Sequence, residues 1–144
     1  MNFNEQYSEF CLNYLRCIKK HALLLSITQS QALCIQAIPY DGITQTDLAA
    51  KLSLDISTVS RNLEKLETNK LIRKKSSTLD QRSYIITLTK KGKNIYQTLS
   101  EALNESLNEI IQKITIEDLD HMNEILNKIN WEFELFHRNN EQNG

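Results

Sequence analysis

One stretch near the middle of the chain decides the fold, and it reads LAAKLSLDISTVSRNLEKLETNKLIRKKSSTLDQRSYIITLTKKGK from Leu48 to Lys93. Just before it, Thr44 is followed three residues later by Asp47, a spacing typical of a helix start because the side chains satisfy free amides there. The stretch therefore predicts a short helix, which Ser53-Leu54-Asp55 ends.

A second short helix follows this break. Its apolar residues recur at steps of three and four, which predicts that they all face inward: Ile56, Val59, Leu63 and Leu66. Its other face shows small polar and basic residues: Ser57, Thr58, Ser60, Arg61 and Asn62. Two short helices joined by a tight turn indicate a helix-turn-helix over about 45–68.

A β-hairpin is predicted directly after these helices. Leu71 to Lys75 favours one strand, residues 76–82 a polar tip, and the apolar Tyr84, Ile86 and Leu88 alternate along a second strand. A hairpin in this position, over about 71–88, is a wing. The fold class predicted is mainly α with a small β-wing.

Thr28 followed three residues later by Gln31 predicts the start of another helix, which ends near Pro39. Three further helices carry apolar stripes at helical spacing. The N-terminal helix has the stripe Phe3, Tyr7, Phe10, Tyr14, Cys17, His21 and Leu24. A long helix that begins at Thr89 has the stripe Ile95, Leu99, Ala102, Ser106, Ile110 and Ile114. The last helix, capped by Thr115 and Asp118, has the stripe Leu119, Met122, Leu126, Ile129, Phe133 and Phe136. One monomer of 144 residues offers too little surface to cover all three stripes. We therefore predict one domain over 1–144 that dimerises through residues 1–25 and 94–138.

Charge is distributed unevenly along the chain. The net charge is -1, yet residues 61–93 hold ten basic and three acidic residues, whereas residues from 94 onward hold ten acids and three bases. A basic middle segment indicates a polyanionic partner for that segment alone, unless it is only a solvated, lysine-rich loop region.

Double-stranded DNA is the polyanion that a helix-turn-helix reads. The hydroxyls of Ser57, Thr58 and Ser60 can donate to phosphate or base, and Arg61 can bind guanine bidentately. The full set of expected DNA contacts, within a DNA-binding core over 44–93, is Ser57, Thr58, Ser60, Arg61, Asn62, Lys65, Lys74, Lys75, Asp80, Arg82 and Lys90.

Some of these residues have simpler interpretations. Ser57 and Thr58 can serve only as helix caps, and Lys90 with Lys91 can be solvated lysines. In the wing, Asp80 can orient Arg82 for a narrow minor groove, or the two can form an ordinary surface ion pair.

The quoted stretch resembles the MarR (multiple antibiotic resistance regulator) family. The shared motifs are Leu48-Ala49 with Leu52, the run from Ser57 to Arg61, Leu66-Glu67, the wing pair Asp80 and Arg82, and Leu88 to Gly92. The resemblance implies a homodimer held by the terminal helices, with a winged domain in each of two successive major grooves of palindromic DNA. It also implies a transcriptional regulator, most often a repressor, released by a small ligand or by cysteine oxidation.

Two glycines that are usual in the family are replaced. Ser53 stands in the turn of the helix-turn-helix, and Asn69-Lys70 stands before the wing strand. Because Asn tolerates left-handed backbone geometry, we expect Asn69 to preserve the second turn.

The remaining residues favour a binding protein over an enzyme. No nucleophile lies in a motif with a base, no glycine-rich phosphate loop occurs, and neither a cofactor nor a metal is expected. A winged-helix module that binds protein is the alternative class. The three cysteines form no CxxC pair, and the start of the chain is no signal peptide, so we expect a reduced, cytoplasmic protein in which Cys11 and Cys17 are the candidates for redox sensing.

Overall fold

The computed structural model describes residues 2–76 and 84–142, and it divides the chain into two compact units, residues 1–106 and 107–144. The elements in chain order are α1 (Phe3–Leu24), α2 (Gln29–Ala37), β1 (Ile43–Thr44), α3 (Gln45–Leu52), α4 (Ile56–Thr68), β2 (Ile72–Ser76), β3 (Tyr84–Leu88), α5 (Lys90–Ile111) and α6 (Ile116–Gln142). The predicted fold class, mainly α with a small sheet around a helix-turn-helix, is confirmed.

The helix-turn-helix consists of α3 and α4. Thr44 caps α3 as predicted, with its side chain accepting from the Asp47 amide at 3.1 Å. Val59, Leu63 and Leu66 of α4 are fully buried. The prediction that Ile56 also faces inward is wrong, because Ile56 is the first residue of α4 and is 53% exposed.

The sheet has three strands in the order β1-β3-β2, all antiparallel. The predicted hairpin pairs Ile72 with Leu88 and Ser76 with Tyr84, and the tip, residues 77–83, lies outside the described residues. Sequence reasoning missed β1, whose Ile43 pairs with Ile86. The chain that enters α3 is thus hydrogen-bonded to the wing strand.

The hydrophobic core of the first unit lies around α2. Its largest fully buried side chains come from six elements: Ile18, Cys34, Ile35, Leu48, Val59, Leu63, Leu66, Ile86 and Leu99. Thr28 caps α2 as predicted, since its side chain accepts from the Gln31 amide at 3.1 Å. This core fixes α4 with one face inward and the opposite face in solvent.

The second unit holds the end of α5 and all of α6. Thr115 accepts from the Asp118 amide at 3.1 Å, which confirms the predicted start of α6. Large apolar side chains on α6 remain exposed, among them Met122, Trp131, Phe133 and Phe136. None of the helices in the described part of the chain combines the length and apolar content that crossing a bilayer requires.

Left-handed backbone occurs at both turns where the sequence pattern that this chain resembles usually has glycine. Ser53, the C-cap of α3, has φ 52°, and Lys70 has φ 60°. The expectation for Asn69 is wrong, because Asn69 has φ -80° and the left-handed residue is Lys70. The chain turns one residue later, where the Leu71 amide closes the end of α4 by donating to the Leu66 carbonyl.

Replacing Ser53 by glycine should stabilise the protein. Left-handed geometry costs an L-residue about 1–2 kcal/mol, and glycine avoids that cost, so we expect Ser53→Gly to gain about 1 kcal/mol of unfolding free energy. Urea denaturation monitored by circular dichroism measures it. The control is Ser60→Gly, at an exposed position inside α4, which should lose about 0.5 kcal/mol. Equal losses in both variants would contradict the left-handed turn.

Candidate nucleic-acid interface

The exposed face of α4 carries the residues that the sequence assigned to DNA contact. Ser57, Ser60 and Arg61 are exposed, and Thr58 is partly buried. The three buried residues on the opposite face, at steps of four and three, hold this face outward. The exposed surface at the N-terminal end of α4 therefore combines small polar side chains, which suit entry into a major groove, with the exposed apolar side chain of Ile56.

The cap of α4 is Asp55, a residue that sequence reasoning missed. Its carboxylate accepts from the Thr58 amide at 3.3 Å and from the hydroxyls of both Ser57 and Thr58. These hydrogen bonds, that of Ser57 first and then that of Thr58, lower the pKa of Asp55 to about 2. An Asp just before an apolar periodic run is itself a cap signal and could have been recognised.

The alternative in which Ser57 and Thr58 cap α4 is wrong, since Asp55 does so. A contact of these two hydroxyls with phosphate or base stays a prediction, and in the free protein both hydroxyls already have an acceptor. Each hydroxyl has one proton, and each donates it to the Asp55 carboxylate.

Arg61 and Asn62 lie on different sides of α4. The Arg61 guanidinium is exposed, and its Nη2 donates to Thr58 Oγ1 at 3.4 Å. Asn62 was expected on the exposed face, but it is partly buried and donates from Nδ2 to Ser30 Oγ of α2 at 2.6 Å. The structure therefore shows Asn62 joining α4 to α2, and a DNA contact by Asn62 stays a prediction.

Basic side chains extend from α4 onto β2. Lys65, Arg73 and Lys75 are exposed. Lys74 is partly buried, with its Nζ 3.7 Å from Glu67 Oε2. The wing pair Asp80 and Arg82 lies outside the described residues, so its predicted minor-groove role stays a prediction.

The start of α5 is tied to the corner between α4 and β2. Lys91 Nζ donates to the Asn69 carbonyl at 3.2 Å, Thr89 Oγ1 to the Lys70 carbonyl at 2.6 Å, and the Thr89 amide to the Leu71 carbonyl at 3.0 Å. Lys91 thus has a structural partner, whereas Lys90 is exposed and keeps its predicted role in DNA contact.

The cysteines differ in their environments. Cys11 and Cys17 on α1 are partly buried, and their role as redox sensors stays a prediction. Cys34 on α2 is fully buried, and burial raises the pKa of its thiol to about 11. The Cys34 thiol is therefore protonated at neutral pH and is a poor nucleophile.

A helix-turn-helix followed by an antiparallel wing defines the chain as a winged-helix protein. The model of the MarR family matches residues 18–84, from α1 to the first residue of β3. The match confirms the resemblance drawn from the sequence over this segment, which is somewhat less than half of the chain.

The chain is similar to known proteins in sequence and in fold. An uncharacterised HTH-type transcriptional regulator of Bacillus subtilis, YxaD, is 30% identical over 87 residues, which span 60% of this chain and 61% of the relative. Wild-type MarR of E. coli matches with a TM-score of 0.77 at 19% identity, over 90% of this chain and 96% of that one. A complex of S. aureus MepR with DNA matches with a TM-score of 0.70 at 22% identity, over 92% and 98% of the two chains. At these identities the two structures support the fold alone.

Proposed function

We propose that this chain is a transcriptional regulator that binds double-stranded DNA in a sequence-specific manner. The observation that carries the proposal is the exposed polar face of α4, with Ser57, Ser60 and Arg61, next to the exposed cations of β2. The solved complex of S. aureus MepR with DNA, a protein of the same fold, supports the same use of the fold. Residues 44–93 form the proposed DNA-binding core.

The proposed working form is a homodimer. Apolar side chains are exposed on α1, including Phe3, Phe10 and Leu24, and others are exposed on α6, including Trp131 and Phe136. Exposed apolar surface of this kind marks an interaction site. A second copy that covers residues 1–25 and 94–138 would bury it.

A two-fold dimer presents two copies of α4 to two half-sites, so the proposed operator is palindromic. The family resemblance further supports a repressor that a small-molecule effector releases. Selection of bound fragments from randomised duplex DNA tests the operator, and native mass measurement tests the dimer. A consensus without two-fold symmetry, or a monomeric mass, would contradict these two parts of the proposal.

Affinity for duplex DNA should fall steeply as salt rises. Each phosphate contact releases condensed cations, so the logarithm of the association constant should decrease against the logarithm of salt concentration with a slope of about -0.9 per contact. Fluorescence anisotropy with a labelled duplex measures it. A Lys75→Gln variant should retain the fold, because Lys75 is exposed, and should reduce the slope by about 1.

The same titration separates the DNA regulator from the alternative class of winged-helix protein-interaction module. If the protein shows no affinity for duplex DNA that depends on ionic strength, DNA binding is contradicted and a protein partner is favoured.

A further inference from the structure

The N-terminal end of α4 contains a chain of hydrogen bonds that begins at Asp55. Ser57 Oγ donates to one carboxylate oxygen of Asp55, and Thr58 Oγ1 donates to the other. Thr58 Oγ1 in turn accepts from Arg61 Nη2 at 3.4 Å. The chain thus runs from a guanidinium through a hydroxyl to a carboxylate, along the exposed face of one helix.

This arrangement fixes which hydrogen-bonding groups the helix offers to a ligand. A hydroxyl has one proton and two lone pairs, and the protons of Ser57 and Thr58 are both used on Asp55. What remains on each hydroxyl is acceptor capacity. The carboxylate itself is acceptor-only and stays ionised at neutral pH.

We propose that Asp55 is a positioning residue for base recognition: it makes Ser57 and Thr58 acceptors, and through Thr58 it orients Arg61. The inference rests on the proposed DNA-binding function and adds a rule of specificity to it. In the major groove, adenine N6 and cytosine N4 are donors, whereas thymine O4, guanine O6 and guanine N7 are acceptors. The strand that faces the two hydroxyls is therefore expected to carry adenine or cytosine, next to a guanine bound by Arg61.

The carboxylate also lowers affinity for DNA in general. Its negative charge is exposed at the N-terminal end of α4, so in the proposed complex it would repel nearby DNA phosphates. Asp55 thus weakens the phosphate contacts, which are the same for every DNA sequence, and it determines the base contacts, which differ between sequences. Specificity increases at the expense of total affinity.

The decisive variant is Asp55→Asn. Asparagine also caps helices, so the variant should keep the fold, with a small fall in melting temperature because the folded state loses an ionised carboxylate that it favours. Its amide has only one acceptor oxygen, and its NH₂ group is a donor, so at least one of the two hydroxyls regains a free proton. Asp47→Asn is the matched control, because it removes one exposed carboxylate from the first turn of α3 without touching the hydrogen-bond chain.

The readout is the base preference at each position, from selection on randomised duplexes, together with the ratio of affinities for the selected and a scrambled duplex. Asp55→Asn should bind the scrambled duplex more tightly, and the ratio of affinities for the selected and the scrambled duplex should fall about tenfold. At the positions that face the two hydroxyls, the preference for adenine or cytosine should give way to mixed bases. Thr58→Val, which removes one hydroxyl and keeps the side-chain shape, should lose the same preference. Asp47→Asn should leave the ratio unchanged.

Three outcomes overturn the inference. The first is that Asp55→Asn and Thr58→Val both keep the base profile and the ratio of the unmodified protein. The second is an equal loss of ratio in Asp55→Asn and Asp47→Asn, which would show an effect of charge alone. The third is an unmodified protein that selects no sequence at all, which overturns the proposed function as well and so differs from the first two.

Discussion

A Gly92→Ala variant is expected to lose about 3 kcal/mol of unfolding free energy, as overpacked sites do. A Cβ at Gly92 would lie 1.9 Å from the carbonyl oxygen of Leu71, so the backbone of one of the two segments must move. The sign is opposite to that of an ordinary helical site, where alanine is more favourable than glycine by about 1 kcal/mol. Urea denaturation measures the difference.

Asn94→Ala is the matched control for this variant, since Asn94 lies two residues further along α5 and is exposed. It should gain a few tenths of a kcal/mol from helix propensity alone. If Gly92→Ala is as stable as Asn94→Ala, the close approach of α5 to Leu71 is absent from the protein in solution.

Arg61→Ala should weaken binding to the selected duplex by about 1–3 kcal/mol, which is roughly 5- to 150-fold, and should relax the choice of base at one position in each half-site. The reason is the loss of a bidentate contact to guanine, since Arg61 is exposed on the polar face of α4. Anisotropy titrations with the selected duplex and with duplexes changed at that guanine measure both effects.

Lys20→Ala serves as the control for Arg61→Ala, because Lys20 is an exposed cation on α1, outside the proposed DNA-binding core. It should leave the base profile unchanged. A loss of affinity in Arg61→Ala that is the same for every duplex would assign Arg61 to phosphate contact and would contradict base reading.

Local signals in the sequence predicted most of the helix starts. Thr28, Thr44 and Thr115 each accept from an amide three residues later, as the sequence indicated. Capping depends on four consecutive residues, so it can be read without knowledge of the rest of the chain. The inward face of α4 was predicted for the same reason, since it follows from helical periodicity alone.

The errors concern features that depend on distant parts of the chain. The strand β1 has two residues, and its pairing with Ile85 and Ile86 joins segments more than forty positions apart. Asn62 was predicted on the exposed face because the local sequence does not reveal its hydrogen-bond partner, Ser30, which is 32 residues away. Ile56 follows the apolar periodicity, yet it begins the helix and lies beyond the core that covers Val59.

The candidate site was predicted in composition but not in hydrogen bonding. Periodicity identified the exposed Ser57, Ser60 and Arg61. Periodicity could not show that the Asp55 carboxylate accepts hydrogen bonds from the hydroxyls of Ser57 and Thr58, because these bonds depend on side-chain rotamers. The wing contribution of Asp80 and Arg82 stays a prediction, since both residues lie outside the described ranges.

Thr89 and Lys91, at the start of α5, donate hydrogen bonds to the carbonyls of Asn69, Lys70 and Leu71. Since these carbonyls directly follow the last turn of α4, three hydrogen bonds attach the start of α5 to the C-terminal end of α4. A displacement of the start of α5 should therefore also displace that end of α4.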